Sequence, residues 1–146
     1  DGGVPRLGIL HAPALDLMYA GASGEGATLI EARGEERTIA CRDVPAEGMN
    51  VLVSRSHARN DKLEEYLADM HVRNRMPQGS ALKFGRLAAG EADIYPRFGP
   101  TCEWDTGAGH AIVLAAGGSL ETFDGKPLAY RKRDYLNPGF VAFGRR

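Results

Sequence analysis

The chain has 146 residues, of which 43% are hydrophobic and 25% are charged, and its formal net charge is −1. This length and composition suit a globular domain with a hydrophobic core of ordinary size. No basic excess or polybasic run is present, so we expect neither a nucleic-acid polymer nor a membrane surface as a partner.

Two further features bear on the compartment and on the extent of the chain. Cys41 and Cys102 lie far apart and in no metal-binding spacing, which predicts reduced thiols in a cytoplasmic protein. The chain opens with Asp1-Gly2-Gly3-Val4-Pro5, a turn signal without an initiator methionine. We therefore expect a processed chain or the back part of a longer one.

Residues 1–48 are predicted to form short antiparallel strands and a connection. Strands are expected at 7–12, 16–21 and 27–30, separated by residues that favour turns. Residues 31–48 are charged and rich in glycine and proline, which predicts a surface connection with one strand candidate at 38–41. This first segment is interpreted as part of an N-terminal antiparallel sheet.

From residue 49 the pattern changes to alternating strands and helices. Asn50–Ser54 is an uninterrupted apolar run ending in serine, as expected of a strand covered on both faces. Helices are predicted to begin at Asp61 and Ser80 and near Asp105, with further strands at 72–76, 92–95, 119–123 and 140–143. The fold class is therefore α/β, with a sheet-and-helix domain over residues 49–146.

The third helix opens on Trp104-Asp105-Thr106-Gly107-Ala108-Gly109. Each interior glycine costs roughly 1 kcal/mol relative to alanine, so two of them indicate backbone that lies close to another group. Asp105 could cap the free N–H groups of the helix, or it could hold a cation that a phosphate also contacts. A single carboxylate cannot hold Mg²⁺ alone. Trp104 is predicted to pack in the core.

Three more polar residues stand where strands end and helices begin. Lys83 lies in a first helical turn, where the helix dipole disfavours a cation by roughly 0.3–1 kcal/mol unless an anion binds there; otherwise it points into solvent. Arg97 follows Tyr95-Pro96 at a strand end and is either a phosphate ligand or a surface arginine. His57 could be a stacking surface, a polar loop residue or, least favoured, a general base; His110 is predicted to be structural.

The Trp104–Gly109 segment resembles the W-D-x-x-A-G signature of the inositol monophosphatase superfamily. Four further segments resemble its bacterial 3′(2′),5′-bisphosphate nucleotidase branch, the CysQ type, in order and spacing: Ser54–His57, Gly79–Phe84, Ala92–Thr101 and Leu136–Phe140. The resemblance runs from residue 1 to about residue 143.

This resemblance implies a Mg²⁺-dependent, lithium-sensitive phosphomonoesterase. Its expected reaction removes the 3′-phosphate of adenosine 3′,5′-bisphosphate to give AMP, in sulfate assimilation. By resemblance, Asp105 is a metal ligand at the substrate site, Ser80, Lys83 and Arg97 contact the nucleotide or its retained phosphate, and His57 lies beside the adenine. The alternative within enzymes is an inositol-phosphate or sugar-phosphate phosphatase.

One departure from the family pattern is large. The family motif D-P-[IL]-D-G-T, which supplies most metal ligands and orients the attacking water, is absent, and no Asp-Pro pair occurs. We therefore expect the chain to be the C-terminal portion of the enzyme and its partner to be the missing N-terminal half, with the water-activating residues. The isolated chain is then expected to be inactive, and a non-catalytic nucleotide-binding fragment is the rival interpretation.

Overall fold

A computed structural model describes residues 1–55 and 61–146 of the chain. The first segment forms a four-stranded antiparallel sheet in the order β1-β2-β3-β4. Its strands are β1 (Leu7–Ala12), β2 (Leu17–Ala22), β3 (Gly26–Ile30) and β4 (Glu36–Ile39). The predicted meander is confirmed. The segment expected to be a surface connection contributes β4 to the sheet, because Ile39 is buried opposite Ala27.

The second sheet has five strands in the order β6-β5-β7-β11-β9. These are β5 (Met49–Val53), β6 (Val72–Pro77), β7 (Ile94–Arg97), β9 (Ser119–Thr122) and β11 (Phe140–Phe143). β5 runs parallel to β6 and β7, whereas β11 runs antiparallel to β7 and β9. Two short strands that sequence patterns did not predict, β8 (Thr101–Cys102) and β10 (Leu136–Asn137), pair separately.

The described helices are α1 (Asp61–Leu67), α2 (Leu82–Ala88) and α3 (Glu103–Ala115). α3 contacts β1, β2 and β3 of the first sheet and β9 of the second, while α2 contacts α3, β1 and β7. The two helices therefore form a layer between the sheets. The predicted α/β class is confirmed.

The main core is shared between the two sheets and the helices between them. It joins Tyr19 and Leu29 of the first sheet to Phe84, Ile112 and Phe140 of the second part of the chain. A smaller cluster lies on the other face of the second sheet, where α1 packs. The expected division between residues 1–48 and 49–146 stays a prediction.

Within residues 1–55 and 61–146, no helix combines the length and the apolar character that crossing a bilayer requires.

Candidate functional site

A pocket of about 430 Å³ lies where β5 and β7 end and where α2 and α3 begin. Four of the predicted site residues line it, namely Ser80, Lys83, Arg97 and Asp105. They come from three different elements and their flanking turns, so the fold rather than the local sequence brings them together. The fifth predicted residue, His57, lies outside the described residues.

Lys83 is a buried cation beneath this pocket, with only 3% of its surface exposed. Its Nζ donates hydrogen bonds to the main-chain oxygens of Ser80 at 2.9 Å and Gln78 at 3.0 Å. Burial, together with the positive charges of Arg97 and Arg55, lowers the pKa of Lys83 to about 8. The solvent-facing interpretation of Lys83 is therefore wrong.

Ser80 precedes α2 and does not belong to it. Its backbone has a φ of 57°, in the left-handed region, and the helix begins at Leu82. The predicted helix start at Ser80 is wrong because left-handed backbone cannot continue into a right-handed α-helix. In this turn the Ser80 carbonyl oxygen accepts a hydrogen bond from the Lys83 ammonium group. The exposed Ser80 side chain lines the pocket.

Arg97 is the last residue of β7 and is half-buried at the edge of the pocket. Its Nε donates to the Gly99 oxygen at 3.2 Å and its Nη2 donates to the Pro100 oxygen at 3.3 Å. These two bonds hold the guanidinium against the turn that follows the strand. A fixed guanidinium loses less conformational entropy when it binds an anion than a mobile one does.

Arg55 is a third cation near this end of the sheet, and sequence reasoning did not select it. Its guanidinium packs on Gly79 so closely that an added Cβ at Gly79 would overlap it. Its charge also contributes to the lowered pKa of Lys83. The sequence signal was present, because Arg55 belongs to the Ser54–His57 segment, but only the histidine was chosen from it.

Asp105 is the third residue of α3 and not its N-cap, which is Cys102. Its Oδ2 accepts a hydrogen bond from the Cys102 N–H at 2.8 Å, and the Cys102 side chain in turn accepts from the Asp105 N–H. This reciprocal arrangement is a capping box. Asp105 is exposed and lines the pocket. Its capping role and its position at the pocket therefore coexist.

Trp104 is 72% exposed and also lines the pocket, so the prediction that it packs in the core is wrong. The buried face of α3 repeats at helical spacing through Thr106, Gly109, His110 and Val113. Trp104 precedes Thr106 by two positions and therefore projects from the opposite side of the helix. Its indole ring lies 6.1 Å from the Tyr135 ring, centroid to centroid.

The two glycines of the signature have different surroundings. An added Cβ at Gly109 would overlap the ring of Phe84, whereas one at Gly107 would make an ordinary 3.7 Å contact with Tyr130. The expected close approach of the backbone therefore occurs at Gly109. It serves the packing of α3 on α2 in the core.

The buried face of α3 carries Thr106 and His110, which are joined through the half-buried Tyr130. The Tyr130 hydroxyl lies 3.0 Å from His110 Nδ1 and donates to Thr106 Oγ1 at 3.2 Å. Burial lowers the pKa of His110 to about 4, so the imidazole is neutral at physiological pH. His110 is thus buried and hydrogen-bonded, as predicted for a structural histidine.

A Mg²⁺ site requires several oxygen ligands that converge on one point. In the described part of the chain, no group of three or more His, Cys, Asp or Glu side chains could hold a metal ion. Asp105 supplies one carboxylate to the pocket, whereas Mg²⁺ needs an octahedral set of oxygen ligands. The described residues alone therefore do not make a magnesium site.

Comparison with known proteins gives a consistent result. Residues 1–142 match the inositol monophosphatase family. The 3′(2′),5′-bisphosphate nucleotidase CysQ of Escherichia coli (strain K12) is 45% identical over 141 residues, which cover 96% of this chain and 55% of that protein. CysQ of Buchnera aphidicola is 42% identical over 143 residues, which cover 96% of this chain and 52% of that protein.

Solved structures agree with the sequence matches. The crystal structure of CysQ from Bacteroides thetaiotaomicron, a bacterial member of the inositol monophosphatase family, aligns with a TM-score of 0.84 and 34% identity. The alignment covers 99% of this chain and 59% of that one. The chain thus spans about half the length of the curated relatives that it matches.

Proposed function

The chain belongs to the inositol monophosphatase family, and from that premise we propose that the protein is a 3′(2′),5′-bisphosphate nucleotidase. Its proposed substrate is adenosine 3′,5′-bisphosphate, from which it removes the 3′-phosphate to give AMP. The observation that carries this proposal is that Ser80, Lys83, Arg97 and Asp105 line a single pocket. The identity to CysQ proteins supports the nucleotide as substrate.

The cationic side of the pocket suits a phosphate group. Lys83 lies at the base of the pocket and Arg97 at its edge, while Arg55 is close enough to Lys83 to affect its pKa. An arginine can present two parallel donors to phosphate oxygens, and a lysine presents a compact point charge. Ser80 adds an exposed hydroxyl that can donate to a phosphate oxygen. We assign these groups to binding and orienting the nucleotide.

We propose Mg²⁺ as the cofactor, with Asp105 as one of its ligands. When bound, such an ion supplies an activated water and neutralises charge on the leaving oxygen. We propose that the other ligands and the water-activating residues lie outside the described residues, which contain no group of three or more side chains able to hold a metal ion. The proposed contribution of this chain is to hold the nucleotide and one carboxylate in fixed relation.

A cytoplasmic location is proposed from the two widely separated cysteines. A role in sulfate assimilation is proposed from the resemblance. His57 is proposed to lie beside the adenine, also by resemblance. Because the chain spans about half of its curated relatives, catalysis by the 146 residues alone is not part of the proposal.

The decisive experiment measures phosphate release by the complete protein. Adenosine 3′,5′-bisphosphate and inositol 1-phosphate are compared at equal concentration, each with Mg²⁺ and with a chelator. Preferential, Mg²⁺-dependent release from the nucleotide supports the proposal. Preference for inositol 1-phosphate would establish the alternative phosphatase, and calorimetric binding of AMP without any hydrolysis would establish a non-catalytic nucleotide-binding protein.

A further inference from the structure

A half-buried asparagine lies directly against the first turn of α3, which carries Asp105. Asn137 of β10 stands opposite Thr101 of β8 in the two-residue antiparallel pair. Its Nδ2 lies 2.8 Å from the Cys102 oxygen, 3.1 Å from Thr106 Oγ1 and 3.2 Å from Thr101 Oγ1. These three acceptors stand before and after Asp105 in the sequence, so one side chain ties the start of α3 to β10.

From this geometry we propose that Asn137 is a positioning residue that fixes the first turn of α3 and thereby the direction of the Asp105 carboxylate. Cys102 connects the two side chains. Its N–H donates to Asp105 Oδ2, and its carbonyl oxygen accepts from Asn137 Nδ2. Asn137 thus binds Cys102, and Cys102 in turn binds the Asp105 carboxylate.

The chemistry of the amide explains why an asparagine suits this position. An amide nitrogen carries two hydrogens, so two of the three acceptors share one donor or alternate. An aspartate has the same shape but would place an unprotonated oxygen against the Cys102 carbonyl, which is repulsive. A leucine of similar size would offer no donor at all.

The oxygen atom of the same amide destabilises the folded state. Asn137 Oδ1 is buried without a hydrogen-bond partner among the described residues. A buried acceptor without a partner has lost its hydrogen bonds to water and gained none in return, which destabilises the folded state. An apolar side chain would avoid that cost, so the balance at this position favours the donors of Nδ2 over a simple packing role.

The inference rests on the proposed function only in using hydrolysis as one readout. The test variant is Asn137→Asp in the complete protein, and Tyr130→Phe is the matched control. Tyr130→Phe removes a different hydrogen bond to Thr106 Oγ1 from the same buried network. It leaves the bonds to Cys102 and Thr101 intact, so it should weaken packing without releasing the turn.

We expect Asn137→Asp to lower kcat at least tenfold while KM for adenosine 3′,5′-bisphosphate stays within about twofold, because Lys83, Ser80 and Arg97 lie on other elements. Tyr130→Phe should leave both constants within about twofold at a similar loss of denaturation midpoint. Equal losses of kcat in the two variants, or an unchanged kcat in Asn137→Asp, would overturn the inference. If Asn137→Asp does not fold, Asn137→Ser, whose hydroxyl is too short to reach Cys102, is measured in its place.

A readout independent of activity separates this inference from the proposed function. Hydrogen exchange of the backbone amides at residues 102–106 should accelerate at least tenfold in the Asn137 variant but not in Tyr130→Phe. If the wild type releases no phosphate from the nucleotide, the proposed function fails, while the exchange comparison still decides the role of Asn137. Unchanged exchange in the Asn137 variant would contradict the positioning role.

Discussion

The ammonium group of Lys83 lies over the ring of Tyr95, with Nζ 4.9 Å from the ring centroid. The two carbonyl bonds from the 78–80 turn approach the same nitrogen. Carbonyl oxygens and an aromatic face stabilise a cation without cancelling its charge. Lys83 therefore keeps a net positive charge available to an anion in the pocket.

Lys83→Met is expected to weaken nucleotide binding. The substitution keeps a similar length but removes the charge and both hydrogen bonds, so KM for adenosine 3′,5′-bisphosphate should rise at least tenfold. The control is Lys126→Met, which removes an exposed lysine that pairs with Asp124 and does not line the pocket. A KM equal to that of the control would contradict a role of Lys83 in binding. Steady-state kinetics measure KM in the two variants, and calorimetry measures their affinity for AMP.

The lowered pKa of Lys83, about 8, predicts two pH effects. Affinity for AMP should fall as pH rises through about 8, because the ammonium loses its proton there. The free energy of unfolding should instead rise with pH. Between the folded pKa and the higher unfolded one, the unfolded state binds more protons, so this group makes stability increase with pH. Below pH 8 Lys83 is charged in the folded protein, so the cost of burying that charge lowers the stability.

Titrations of Lys83→Met check both effects. Calorimetry from pH 6.5 to 9.5 should show a steeper loss of AMP affinity in the wild type than in the variant. Urea denaturation from pH 7 to 10.5 should show a rise in stability attributable to Lys83 that the variant lacks. Parallel curves for the two proteins would contradict the assigned titration.

Asp105→Asn is expected to abolish Mg²⁺-dependent turnover while leaving the fold intact. The amide oxygen can still accept from the Cys102 N–H, so the capping box survives while the charge is lost. Asp69→Asn, at an exposed carboxylate away from the pocket, is the control. Turnover near the wild-type level in Asp105→Asn, with Mg²⁺ present, would exclude this carboxylate from the reaction.

Gly109→Ala and Gly107→Ala should have opposite effects on stability. The Gly109 methyl would overlap the Phe84 ring, and overpacking of this kind costs about 1–3 kcal/mol. The Gly107 methyl meets Tyr130 at an ordinary 3.7 Å, so helix propensity should stabilise that variant by up to about 1 kcal/mol. Urea denaturation of the two variants measures the difference. Similar free energies of unfolding would contradict the close approach of α3 to Phe84.

Sequence periodicity predicted the elements whose patterns are local. The short apolar runs and turn residues in residues 7–30 predicted the meander. The W-D-x-x-A-G resemblance selected Asp105, and other matching segments selected Ser80, Lys83 and Arg97, which the fold then brings to one pocket. No periodicity argument places residues from three elements together.

The errors arose where tertiary contacts outweigh local signals. The pair β8–β10 is only two residues long, which is too short to show an alternation of polar and apolar residues. The left-handed backbone of Ser80 is not indicated by its residue type, because residues other than glycine rarely adopt it. Trp104 was misplaced because a large aromatic residue is usually buried, whereas the register of α3 is set by Thr106, Gly109 and His110.

The contacts between glycines and aromatic rings bear on which substrates the pocket could come to accept. Gly109 of α3 lies against Phe84, and Gly85 of α2 lies so close to Tyr19 that an added Cβ would be 2.7 Å from its ring. Gly109 therefore lets α3 approach α2 closely, and Gly85 lets α2 approach β2 of the first sheet. The distance between α2 and α3 is set by the contact of the Gly109 backbone with the Phe84 ring. A larger substrate is therefore more readily accommodated by changes in the turns around Ser54, Ser80 and Pro100, which also line the pocket, than by a wider spacing of the helices.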